Sequence, residues 1–259
     1  MENTSGAFQC RCRFVFLVII LLLATPAWSN AVTKKENPHL IRIPLKLTDK
    51  LDSREHGWKV IQFRSKPPNK VVSDKDGLHI GVDCSVNLLA YCLNEPVEVN
   101  GVLLRGSVTG LPRIQENRRQ GDKKADDFVI RIGLVISGTK KLGKIEKLFA
   151  PELVKRLCEL APNSQGIDHV LFLNLANDPP PKWRNRIHPI GKGLLRERVA
   201  CVSNEPGDFT LKVEFQEPYT VLALCIISDG DDTKSKFQVN VKNIQLNPKR
   251  RKTCTEAKL

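Results

Sequence analysis

The sequence carries none of the short signatures that fix a chemistry by themselves. It has no Cys-x-x-Cys pair, which removes support for a structural zinc site or a dithiol redox motif. His56, His79, His169 and His188 show neither HExxH nor HxH spacing, and there is no GxSxG elbow, no P-loop and no GxGxxG. Metalloprotease, α/β-hydrolase and nucleotide-dependent chemistries are therefore unsupported. Internal repeats are absent, and no linker divides the chain. After the first 29 residues no stretch is long and apolar enough to span a bilayer.

Those first residues read as a secretory leader. Arg11 and Arg13 form a basic start, Phe14–Ala24 is an apolar run too short for a comfortable span, and Ala27 and Ser29 are small residues at the −3 and −1 positions. Cleavage after Ser29 is expected, with a mature chain beginning at Asn30 and an exported protein, periplasmic or secreted. Loss of Arg11, Arg13 and Glu2 lowers the net charge from +13 only to +12. A basic exported protein favours anionic partners such as lipid headgroups, acidic glycans and phosphorylated wall polymers. Nucleic acid fits the compartment poorly. Cys84, Cys92, Cys158, Cys201, Cys225 and Cys254 remain after the leader and permit disulfides in an oxidising compartment. Cys201 with Cys225 is the favoured pair, because both lie in strand-like runs; the full pairing stays open.

Alternation with period two runs through Trp58–Phe63, Leu78–Asp83, Phe128–Ile136, Phe209–Phe215 and Phe237–Val241, as in half-buried antiparallel strands. His169–Ala176 and Thr220–Ile227 are almost continuously apolar and read as central strands covered on both faces. Lys141–Leu160 breaks the pattern. Its Leu142, Ile145, Leu148, Leu153, Val154, Leu157 and Leu160 stand at helical spacing, and Pro151 suits the first turn of a second short helix. The expected fold is all-β: a two-sheet antiparallel β-sandwich, jelly-roll-like, with one helical insertion. Its expected divisions are a signal peptide at 1–29, an N-terminal extension at 30–49, the sandwich at 50–246 and a basic tail at 247–259.

The order of these runs carries a resemblance. GWKVIQF opens the domain, ADDFVIRIGLVISG sits mid-chain, IDHVLFLNLAN follows the helical insertion, and LLRERVACVSNEPGDF leads to VLALCIISDGDDT and a closing VKNIQL. Together they resemble a family of exported bacterial proteins known only as a numbered domain of unknown function. The likeness covers roughly residues 50–246. Family members tend to show Gly-Asp-Asp-Phe at a strand start and a Thr-Asp-x-Asp-Asn-Thr-like loop before the last strand. Here Ala125 replaces the Gly and Asp232 the Asn. The resemblance implies a jelly roll similar to carbohydrate-binding modules. The family brings no established activity, so no catalytic residue is carried over.

Three stretches are candidate sites. Asp229, Asp231 and Asp232 offer hard oxygen ligands, and calcium is the cation they would suit. The loop is no EF-hand, since its twelfth position is Asn240; the plainer reading is a solvated turn. Asp126 and Asp127 precede a strand, and paired with Asp229 or Asp231 they would form the two carboxylates of a glycoside-cleaving site. Against this stands a pair of strand-end acids facing solvent or Lys123 and Lys124. The third is Asn177–Gly193, where Pro179–Pro181 stiffen the backbone before Trp183, Arg184, Arg186 and His188. An indole face suits a sugar ring, and guanidinium groups suit carboxylate or phosphate. The alternative is a Trp folded back over the sandwich edge; Trp58 reads as core. The reading favoured is an exported non-catalytic protein that binds a glycan or other anionic envelope component through Trp183, Arg184, Arg186 and His188. The rivals are a polysaccharide-acting enzyme and a structural partner in envelope assembly.

Overall fold

Two long strands hold the architecture together, and both carry a proline where they bend. The computed structural model describes residues 40–50, 56–140, 150–161, 165–177 and 179–249. The expected leader, residues 30–39, the first part of the helical insertion, Cys254 and the end of the basic tail lie outside them. The strands are β1 (Ile41–Arg42), β2 (Lys59–Gln62), β3 (Lys70–Asp74), β4 (Gly77–Asp83), β5 (Asn87–Thr109), β6 (Ile130–Gly138), β7 (Gly166–Asn177), β8 (Asn185–Ile187), β9 (Leu195–Ser203), β10 (Gly207–Ile227) and β11 (Lys236–Pro248). They connect in the order β3-β4-β11-β5-β10-β6-β7-β9-β8, with β1 on β11 and β2 on β5.

The β5–β10 pairing is interrupted twice. Residues 215–218 of β10 bulge out between the pairs Glu214↔Gly101 and Tyr219↔Val99. Residues 93–96 of β5 do the same between Val221↔Val97 and Ala223↔Cys92. Pro218 lies in the first excursion and Pro96 in the second. Proline cannot donate to a ladder, so both sit where the ladder is already broken. On either side of the break the two strands serve different layers. Their 99–109 and 207–214 halves join β3, β4 and β11, while their 87–92 and 219–227 halves join β2, β6, β7, β9 and β8.

Both layers contribute to one apolar core, with Leu78, Leu104 and Val241 from the first and Ile132, Leu173 and Leu224 from the second. The chain is thus the all-β sandwich expected from its alternation. One pair, β7–β9, is parallel. Residues 40–48 also join the structure: Ile43 is buried and Trp58, fully buried, donates from Nε1 to Pro44 O at 2.8 Å.

The second layer is buried on its outer face too. Val135, Val170, Phe172, Leu195, Cys225 and Ile227 form a separate cluster with Val154 and Leu157. The last two belong to helix α1 (Glu152–Cys158), and Pro151 caps it one residue ahead of the expected position. This two-sided burial is why β7 and β10 read as continuous apolar runs.

The same alternation overturns the expected Cys201–Cys225 disulfide. Cys225 belongs to the outer cluster, whereas Cys201 packs against the inner core on the opposite face of the layer, and both are thiols. Burial pushes the Cys225 thiol up. Gly133 lies over it: a Cβ there would collide with Cys225 Sγ and meet the Phe172 ring at 2.7 Å. Gly133→Ala is expected to cost about 1–3 kcal/mol by overpacking. Removing the sulfur in Gly133→Ala/Cys225→Ala should recover part of that loss. Urea denaturation of the two single variants and the double variant measures the coupling, and strictly additive losses would contradict the contact.

Candidate functional site

Beyond α1, the outer face of the second layer turns from apolar to ionic. Arg131 of β6 stands opposite Asn174 of β7, and Glu197 comes from β9 alongside. All three are buried, as is Asp229 just past the end of β10. Two loops close over them, one running from Leu111 to Val129 and one from Pro179 to Arg184, with β8 beside the second.

Arg131 is the centre. Its Nη2 lies 3.1 Å from Asp229 Oδ2 and 3.5 Å from Asp126 Oδ1, and it donates to the Asp126 carbonyl. Its guanidinium stacks 4.5 Å from the Phe128 ring centroid. Arg186 forms the outer half of the network. It donates from Nη2 to Asp126 Oδ1 at 2.7 Å, from Nη1 to Gly121 O at 2.7 Å and from Nε to Glu197 Oε2. His188 Nε2 meets the other oxygen of Asp126 at 3.0 Å. Asn174 Nδ2 donates to Glu197 Oε1 at 3.1 Å.

The remaining acids tie loops to each other. Asp229 Oδ1 accepts from Phe128 N at 2.7 Å. Asp127 accepts from Thr233 N and Thr233 Oγ1, both at 2.6 Å, and from Asp232 N at 3.3 Å. Gln120 Nε2 donates to Asp127 O at 2.6 Å and to Asn177 Oδ1 at 2.7 Å, while its Oε1 accepts from Asn177 N at 2.9 Å. Asp231 pairs with Lys66, and Asp232 is exposed. The three acids of the 229–232 turn therefore face three different surroundings. Among the described residues no group of three or more His, Cys, Asp or Glu is placed to hold a metal ion.

Trp183 is half-buried. Arg186 Cζ lies 4.1 Å above its ring, Phe128 sits at 6.2 Å between centroids, and Gly121 approaches so closely that a Cβ would lie 2.9 Å from Trp183 Cζ2. Arg184 and Lys182, on either side, are exposed. The structure thus brings 126–127, 183–188 and 229 to one end of the sandwich. It turns Arg186 and His188 inward and leaves Arg184 outward. Arg131, Glu197, Asn174 and Gln120 belong to this cluster and were missed as candidates. The available signal was a charge inside an apolar strand, as Arg131 is in FVIRIGLVI.

Burial raises the carboxyls of Asp229 and Asp127. Arg131 opposes it at Asp229, and the Thr233 hydrogen bonds oppose it at Asp127. At Asp126 burial also acts upward, but Arg131, the His188 hydrogen bond and Arg186 together hold that carboxyl below its usual value.

No protein-family model matches the chain, and no curated protein matches it in sequence. Among solved structures it is similar to a xylan-binding module, CBM15, at 10% identity over 82% of this chain and 97% of that one, with a TM-score of 0.33. It is also similar to the glycoside hydrolase domain of Endo-D from Streptococcus pneumoniae R6, at 8% identity over 75% of this chain and 22% of that one, with a TM-score of 0.30. A third is the catalytic domain of a GH87 alpha-1,3-glucanase in complex with nigerose, at 9% identity over 77% and 30%, with a TM-score of 0.23. Likenesses this distant carry no conclusion about activity.

A depressed folded-state carboxyl contributes stability that is complete above its unfolded value, near pH 4, and is lost as pH falls through the folded value. Asp126→Asn leaves two arginines short of a counter-charge and should destabilise the protein at pH 7 by about 3 kcal/mol. The gap from wild type should close as pH falls below about 4. Urea midpoints across that range test it, and a gap independent of pH would show that the Asp126 charge is not what matters.

Proposed function

We propose that the chain is an exported, non-catalytic binding protein for a glycan or another anionic component of the cell envelope. The observation that carries the non-catalytic reading is the occupation of the acids. Both oxygens of Asp126, Asp127 and Asp229 are engaged by arginine, histidine, hydroxyl or backbone partners. Glycoside cleavage needs one carboxyl free to give a proton and one free to attack or activate water. Here the acids fasten loops, and those loops hold Trp183 in one pose beside the exposed Arg184 and Lys182.

Trp183 and Arg184 are the contacts in this reading: an indole ring for apolar sugar surface and a guanidinium for carboxylate or phosphate. Arg186 and His188 act through Asp126 as positioning residues. A fixed aromatic loses little freedom on binding, which favours affinity. The high positive charge of the chain, +13, supports an anionic ligand. The rival reading, an enzyme acting on polysaccharide, draws on the raised carboxyls of Asp127 and Asp229.

Pulldown on neutral and acidic glycans and on cell-wall material separates the two. Trp183→Ala should weaken binding by about 1–3 kcal/mol. Arg184→Ala, which leaves the packing untouched, should weaken it in a manner that fades with salt, since exposed charges are screened within about 8 Å at physiological ionic strength. Normal binding by both variants would overturn the reading. Polysaccharide breakdown by the wild type that Asp229→Asn abolishes would replace it with the enzyme.

A further inference from the structure

The hairpin that turns Arg186 inward turns other residues out. Strand β8 pairs with β9 in the register Asn185↔Arg198, Arg186↔Glu197 and Ile187↔Arg196. Since Arg186 and Glu197 point into the buried network, alternation places Ile187 and Arg196 together on the opposite face. Ile187 is 64% exposed, and Ile190, in the turn that follows, is 45% exposed. Among the described residues four large hydrophobic side chains are exposed, and Ile187 and Ile190 are the two of them that stand close together in the chain. Isolated exposed aliphatics are ordinary; two isoleucines exposed together at one hairpin turn are less so.

The stretch of chain that carries Ile187 and Ile190 has surface charge of one sign. Between Pro179 and Asn204 the single acidic residue is Glu197, which is buried and paired with Arg186. Lys192 and Arg196 are exposed, and Arg198 is half-buried. Asp168, on neighbouring β7, is taken up by Lys140 and His169. The hairpin thus presents an apolar tip inside a basic collar.

We propose that the β8–β9 hairpin docks the protein on an anionic lipid bilayer, with Ile187 and Ile190 entering the boundary between headgroups and acyl chains and Lys192 and Arg196 lying on the phosphates. Aliphatic side chains offer a glycan neither hydrogen bonds nor a stacking face, and they gain only from leaving water, which hydrocarbon allows. Cations just above the tip add attraction to a negative surface. A second copy of the chain fits less well, because a two-fold contact would set this basic collar against itself, and β8, at three residues, is a short edge for strand addition. The inference goes beyond the binding site at Trp183 and uses different residues.

The test is flotation of the full chain, as its native host processes it, with phosphatidylcholine vesicles and with vesicles containing an equal part of phosphatidylglycerol. Any contribution of the N-terminal apolar run is common to all variants and appears on the neutral vesicles. Wild type should favour the anionic vesicles, and high salt should weaken this preference. Ile187→Ser/Ile190→Ser, both at exposed positions, should bind about tenfold more weakly with an unchanged melting curve. Lys192→Gln and Arg196→Gln should each lose about fivefold at low salt. The proposal is overturned if wild type does not prefer anionic vesicles or if the isoleucine pair is silent. It is equally overturned if a soluble acidic polymer captures the protein as well as vesicles do, or if the isoleucine pair instead dissolves a dimer. Glycan capture through Trp183 is read separately, so either reading can fail alone.

Discussion

A guanidinium that never loses its charge lies buried at Arg131, and the end of the sandwich is organised around it. Arginine cannot shed its proton to escape a low-dielectric site, so carboxylates must come to it. Asp229 comes from the end of β10, Asp126 from the loop before β6, and Glu197 from β9. Arg186 then shares Asp126 and Glu197 and brings the Pro179–His188 stretch with it. Removing Arg131 leaves Asp229 buried without its cation, and removing Asp126 leaves two arginines short of a carboxylate. The network is therefore a poor source of net stability and a strong determinant of which loop packs where.

That arrangement explains how one layer can be dry over half of its outer face and ionic over the other half. Under α1 the strands present Val135, Phe172 and Cys225. A few residues along the same strands they present Arg131 and Asn174. The break coincides with the change of cover, from a helix with apolar side chains to loops rich in backbone donors and acceptors. Loops cannot lie on an apolar face without stranding their own polar groups, and here those groups meet charged side chains. The same economy of partners accounts for the outer surface: with Glu197 and Asp126 drawn inward, the cations left outside have few acids near them.

Much of this was legible along the chain, and the misses have physical causes. Period-two alternation marked the strands, and the continuous apolar runs at His169–Ala176 and Thr220–Ile227 marked those covered on both faces. Alternation inside FVIRIGLVI made Arg131 read as the solvent side of a half-buried strand. Only the covering loops bury it, and they are fastened by contacts such as Arg186 on Asp126, 60 residues apart in the chain. Cys201 and Cys225 looked like partners because both sit in strands, but a disulfide depends on the face as well as the strand. The parallel step from β7 to β9 left no trace in sequence, because its connection carries no helix of its own among the described residues. Asp126 and Asp229 were paired as possible catalytic acids, and Arg186 and His188 were assigned to a separate ligand loop; that the loop's side chains bind Asp126 is a fact of tertiary packing.

The central claim is that Arg131 holds the two loops, and not the sheet. Hydrogen–deuterium exchange on Arg131→Met tests it most directly. The account predicts that backbone amides in 120–128 and 183–190 lose protection together, while those of β10 at 221–227 keep theirs, because the apolar packing on both faces of that strand is untouched. Loops that exchange as slowly as in the wild type, or a sheet that opens along with them, would contradict it.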